Sequence, residues 1–163
     1  MPATFVDRLS AETRDRMIGL LNERLVDAID LTLATKQAHW NLKGPSFIGI
    51  HELLDAVAVR LRGHADLLAE RCVILGGTAR GTAQAVADGT SLEAYPPEAQ
   101  NQHHQVDALR DRFMAFGASL RANIDAADEA GDEDTADLFT EVSRAVDKDA
   151  WFIGAHDESG ADA

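Results

Sequence analysis

Apolar residues recur at three-four spacing along most of this 163-residue chain, and over no useful length do they alternate. That period puts them on one stripe of a helix, whereas a half-buried strand needs a period of two. Ile18, Leu21, Leu25, Ala28 and Ile29 mark the first stripe. Ser10 stands where an N-cap belongs and Glu12 where negative charge suits the helix dipole, so the first helix is predicted to run to about Asn41. Lys43-Gly44-Pro45-Ser46 breaks it, with Ser46 as the cap of a second helix. Leu54, Val57, Leu61, Leu68, Cys72 and Leu75 line that helix, which ends at Gly76-Gly77. So short a connection makes the pair antiparallel neighbours. Residues 77–97 differ in kind: rich in Gly, Thr and Ala and closing on Tyr95-Pro96-Pro97, they read as a crossover with room for one short helix near 83–94. A third helix, from about Glu98 to Ala130, turns Val106, Leu109, Phe113, Phe116, Leu120 and Ile124 inward. Gly131 separates it from a fourth, roughly Asp132 to His156, carrying Leu138, Val142, Ala145 and Phe152.

Four long helices with one long crossover in the middle give an all-α fold, the ferritin-like variant of the four-helix bundle. A mass of 17.6 kDa suits a single domain over 1–163, with a short N-terminal segment (1–9) and an acidic, frayed tail (157–163). Charge narrows the partners. Asp and Glu number 28 against 15 Lys and Arg, a net −13 that repels nucleic acid and anionic lipid and favours cations. No apolar run is long enough to span a membrane, and the N-terminus lacks the basic and apolar regions of a secretory signal. The one cysteine, Cys72, excludes an intrachain disulfide and fits a reducing, cytoplasmic setting.

Five potential metal ligands fall between positions 39 and 70: His39, His51, Asp55, Asp66 and Glu70. On the second helix His51 and Asp55 are i, i+4 neighbours, as are Asp66 and Glu70, and the four share a sector of about 100° beside the Leu54–Leu61–Leu68 stripe. Axial distance decides what this row can do. Asp55 and Asp66 stand about 16 Å apart along a helix, too far to share one ion. One chain therefore carries two incomplete half-sites. However, Asp55 and Asp66 are equally distant from a point between Arg60 and Leu61, and so are His51 and Glu70. Two copies of the helix crossing antiparallel on a dyad there would set Asp55 opposite the other chain's Asp66, and His51 opposite its Glu70. His39 can join through the tight turn. Imidazole and carboxylate without thiolate suit iron, manganese or zinc. Glu-x-x-His, the motif of di-iron bundles built within one subunit, is missing from the chain. Taken singly, a histidine beside a tryptophan is a packed core residue and an Asp at i+4 a surface pair. The joint pattern is what favours a metal.

The run Lys36-Gln37-Ala38-His39-Trp40-Asn41-Leu42-Lys43-Gly44, followed by Phe47, His51, Asp55, Asp66 and Ala69-Glu70-Arg71, resembles the signature of the Dps family, or miniferritins. The resemblance extends to Asp147-Lys148 and Trp151-Phe152, nearly the whole chain. It implies a hollow homododecamer with a ferroxidase centre at the two-fold interface, His39, His51 and Asp55 coming from one subunit and Asp66 and Glu70 from its neighbour. It also implies iron storage and detoxification, with hydrogen peroxide the preferred oxidant over dioxygen. Trp40 and Trp151 match tryptophans near that centre, either shielding it or simply packing. Asp128, Glu133 and Asp137 match acids that line three-fold entry pores, against which stands the plainer reading of a solvated acidic corner.

These expectations converge on a cytoplasmic ferroxidase binding up to two irons per site. In it His39 and His51 serve as neutral ligands, Asp55 and Glu70 as anionic ones, and Asp66 supports a second iron or a bridging water. Zinc suits the same ligands, so a redox-silent zinc cage is one competitor. A nucleoid-associated, DNA-compacting protein is the other. The sequence argues against it, because the segment before Ser10 holds a single base, Arg8, and the tail only acids. His64, His103, His104 and His156 are left without an assigned role.

Overall fold

Five helices make up the described part of the computed structural model, residues 4–96, 98 and 101–156. They are α1 (Ala11–Asn41), α2 (Phe47–Ile74), α3 (Ala83–Gly89), α4 (Gln102–Glu129) and α5 (Glu133–Gly154), with no strand among the described residues. Local chemistry explains most of the boundaries. Ser10 accepts a hydrogen bond from the Thr13 N–H and starts α1. Gly76, at φ +91°, ends α2, and the Gly77 N–H then donates to the Cys72 carbonyl at 2.9 Å. Gly131, at φ +75°, makes the turn from α4 into α5.

Helix α1 packs chiefly on α2, and α4 on α5, so the bundle is two antiparallel hairpins joined through α1–α4 and α2–α5 contacts. Leu21, Leu31, Leu54, Leu61, Leu68, Phe113, Phe116 and Phe139 fill the shared core. Since α4 begins beside the end of α1, where Gln105 Nε2 donates to the Asn41 carbonyl at 3.3 Å, the crossover must travel the length of the bundle. No helix among the described residues is long and apolar enough to cross a membrane.

Two boundaries and one cap differ from the sequence expectation. The short helix stops at Gly89 instead of reaching 94, because Thr90 and Ser91 turn inward onto α1. Asp27, fully buried, accepts the Ser91 N–H (2.7 Å), Ser91 Oγ (2.9 Å) and Thr90 Oγ1 (3.2 Å), with Arg24 Nη2 at 3.2 Å. Asp30 accepts Thr90 Oγ1 at 2.8 Å and Arg112 Nη2 at 2.7 Å. A carboxylate taken out of water needs such donors, and this clasp supplies them across α1, α4 and the crossover. Helix α4 starts at Gln102, not near Glu98, because Asn101 caps it by accepting the His104 N–H at 2.9 Å. Ser46 does occupy the N-cap position of α2, but its side chain makes no capping bond; its own N–H donates to Gln102 Oε1 at 3.1 Å instead. The tail expected to fray, 157–163, lies outside the described residues.

Two ion pairs on buried carboxylates seat α2 on α5. Arg60 forks onto Asp149 (2.6 Å for Nη2), and Arg71 Nη2 reaches Asp132 at 2.7 Å. Asp132 also accepts the Thr135 N–H at 3.1 Å, so one carboxylate both caps α5 and receives Arg71. With the leucine stripe turned inward and the two arginines turned to α5, the sector bearing Asp55, Asp66 and Glu70 is left facing outward, and all three are exposed.

Candidate metal centre

The turn over residues 42–46 brings the end of α1 against the first turn of α2, and with it His39 against His51. Their rings stack, with centroids 3.7 Å apart and planes 20° from parallel. Each Nδ1 lies on the other residue's backbone carbonyl, at 2.9 Å for His39 on His51 and 3.0 Å for His51 on His39. A carbonyl oxygen only accepts, so both Nδ1 atoms carry the proton, and in the neutral ring Nε2 keeps its lone pair. The arrangement fixes the tautomer as the outer hydrogen bonds of metal-bound histidines do. Phe47 flanks it, its ring 5.0 Å from that of His51.

Asp55 follows one turn after His51. Its carboxylate Oδ1 accepts Lys36 Nζ at 2.7 Å, and that hydrogen bond, with the ammonium charge behind it, holds the Asp55 carboxyl below its ordinary 3.8. Lys36 also lies 5.8 Å over the ring of Trp40. In the sequence Lys36 stands out only as part of the run Lys36–Gly44. The signal that could have found it is a cation three residues before His39, on the same helix face, in so acidic a chain.

Asp66 and Glu70 sit farther along α2 and do not join His39, His51 and Asp55 within one chain. Among the described residues no three His, Cys, Asp or Glu side chains stand where a single ion could be held. Around the carboxylates the α2 surface is apolar, with Ile48, Val59, Leu67, Val73 and Ile74 exposed. Asp128, Glu133 and Asp137 are exposed around the Gly131 turn, whereas the neighbouring Asp132 is buried in its Arg71 pair. Trp40 and Trp151 are each 68% exposed, too open for the core-packing alternative in a lone chain; the Trp151 ring stands 5.0 Å from that of Phe152. Of the unassigned histidines, His64 has both ring nitrogens buried without a hydrogen-bond partner, and burial pushes its imidazole below the ordinary 6.5. His103 lies 3.3 Å from Asp107, and His104 shares a 3.2 Å contact with Asn101.

Residues 18–161 match the family described as Ferritin-like domain. The chain is 51% identical over 148 residues to a DNA protection during starvation protein of Agrobacterium fabrum, covering 91% of each chain. It is 31% identical over 159 residues to the protein of that name from Mycolicibacterium smegmatis, covering 98% of this chain and 86% of the other. Solved structures agree. Mycobacterium smegmatis Dps superposes with a TM-score of 0.92 at 30% identity, covering 99% of this chain and 97% of that one. Dps from Microbacterium arborescens in the high iron form gives 0.83 at 36% identity, over 91% and 98%.

Proposed function

Because the chain belongs to the Dps family of ferritin-like proteins, we propose that it oxidises Fe²⁺ at sites shared between protomers and stores the ferric product inside a hollow homododecamer. The observation that carries this reading is the pair of imidazoles whose Nδ1 protons are fixed and whose Nε2 lone pairs are free, one helical turn from Asp55. His39, His51 and Asp55 do not hold an ion by themselves, and Asp66 and Glu70 of a second copy supply the ligands that one chain lacks. The exposed apolar residues of α2 support that pairing. Ile48 and Val73 are equally distant from the Arg60–Leu61 midpoint, as are Phe47 and Ile74, so at its two ends the same dyad covers apolar with apolar. The Microbacterium relative, solved in its high iron form, supports iron as the cargo.

Iron enters as substrate. Asp128, Glu133 and Asp137, repeated around a three-fold opening, concentrate the cation. At the shared site hydrogen peroxide takes one electron from each of two Fe²⁺ and, with two protons, leaves as two waters. Asp55 and Glu70 favour the Fe³⁺ that results, Asp66 supports the second iron, and Trp40 and Trp151 screen the site. Removing both iron and peroxide protects the cell from hydroxyl-radical chemistry. Zinc fits the same ligands and would fill the site without turnover.

Stopped-flow absorbance after mixing Fe²⁺ with peroxide tests the proposal. The parent is expected to give a fast ferric signal, and His51→Ala with Asp55→Ala to abolish it while the assembled mass persists. A flat parent trace overturns the enzyme, and a double variant at the parent rate overturns the site.

A further inference from the structure

Resting on the shared iron site proposed above, we infer that Lys36 is a resident counter-cation of that site, occupying Asp55 until metal displaces it. The ammonium is the species found where a cation belongs. Its Nζ stands 2.7 Å from Asp55 Oδ1, its side chain is only 18% exposed, and it comes from the same α1 turn as His39. A first-row metal bonds a carboxylate oxygen at about 2 Å, so an ion on Oδ1 and the ammonium on the same atom would be held within about 5 Å of each other. Two cations that close repel, and the one with fewer ligands leaves. Trp40 gives the departing ammonium a second place to rest, since Lys36 Nζ already lies 5.8 Å over its ring.

The consequence is a threshold. Metal-free, the ammonium of Lys36 answers the charge of Asp55. A monovalent cation with no imidazole affinity gains too little to evict the lysine, while a divalent ion that also finds ligands among the histidines and the second copy's carboxylates gains enough. Lys36 is thus a specificity-determining residue that acts through Asp55.

Cobalt(II) titration of the assembled, metal-free protein tests this, with visible d–d absorbance reporting coordination independently of turnover. Lys36→Met is expected to tighten cobalt binding about tenfold, and Lys36→Arg, which keeps the charge, to stay within about twofold of the parent. On an Asp55→Asn background Lys36→Met should add nothing. Equal or weaker binding by Lys36→Met, or the same gain on the Asp55→Asn background, overturns the inference and leaves the shared site standing. Should neither the parent nor Lys36→Met develop a cobalt spectrum, the shared site falls and the counter-cation role with it.

Discussion

Protons on two Nδ1 atoms decide whether His39 and His51 are ligands or packing. In the metal-free protein the nitrogen chemical shifts of both rings should be those of Nδ1–H imidazoles with unprotonated Nε2; the opposite tautomer at either ring would remove that ligand. A second residue offers a cleaner titration. Tyr95 is the chain's only tyrosine, and burial raises its phenol from 10.0 to about 12, Arg112 opposing the shift. Phenolate absorbance in the folded protein should therefore rise near pH 12, and in the denatured chain near 10. The unfolded phenol ionises first, so the native state keeps its full stability below pH 10 and loses it progressively from 10 to 12. Spacing alone pairs His51 with Asp55 and leaves His39 to join through the turn. It could not reveal that the rings stack and exchange hydrogen bonds with each other's carbonyls, which depends on the path of residues 42–46. Lys36 escaped for a related reason, because its partner lies nineteen positions away on another helix.

Helix ends are where single substitutions should register most. Asp132→Ala removes the cap of α5 and leaves the partly buried Arg71 without its nearest carboxylate, a loss expected to cost about 2–3 kcal/mol and read by urea denaturation at fixed protein concentration. A loss below half a unit of that scale would mean Arg71 finds Asp134, already 3.8 Å from its Nη1, as a substitute. Two glycines should separate by mechanism. At Gly131 nothing stands within 4 Å of an added Cβ, so Gly131→Ala carries only the left-handed backbone cost, about 1 kcal/mol. At Gly77 an added Cβ would lie 2.7 Å from Ile18 Cγ2 and 2.9 Å from the Cys72 carbonyl, so about 2–3 kcal/mol is expected. Periodicity marked the four long helices because each buries one continuous stripe. It missed the ends of the crossover, where Asn101 and the Thr90–Ser91 pair answer to side chains rather than to a repeat.

For the assembled protein the decisive quantity is mass in solution. About twelve subunits of 17.6 kDa are expected by light scattering, and a stable monomer would leave every iron site half-built. At low salt the same particle should not retard duplex DNA, given a net −13 per chain; retardation at micromolar concentration would restore the DNA-compacting alternative. The proposed dyad rests on an arithmetic symmetry in α2, and a lone chain presents only the two halves. The buried clasp at Asp27 reaches beyond iron. It makes the end of the crossover intolerant of foreign sequence: a peptide grafted between Thr90 and Leu92 should unfasten α1 from α4 and lower the soluble yield. The segment after α3 is therefore a fastener and not a place for grafts.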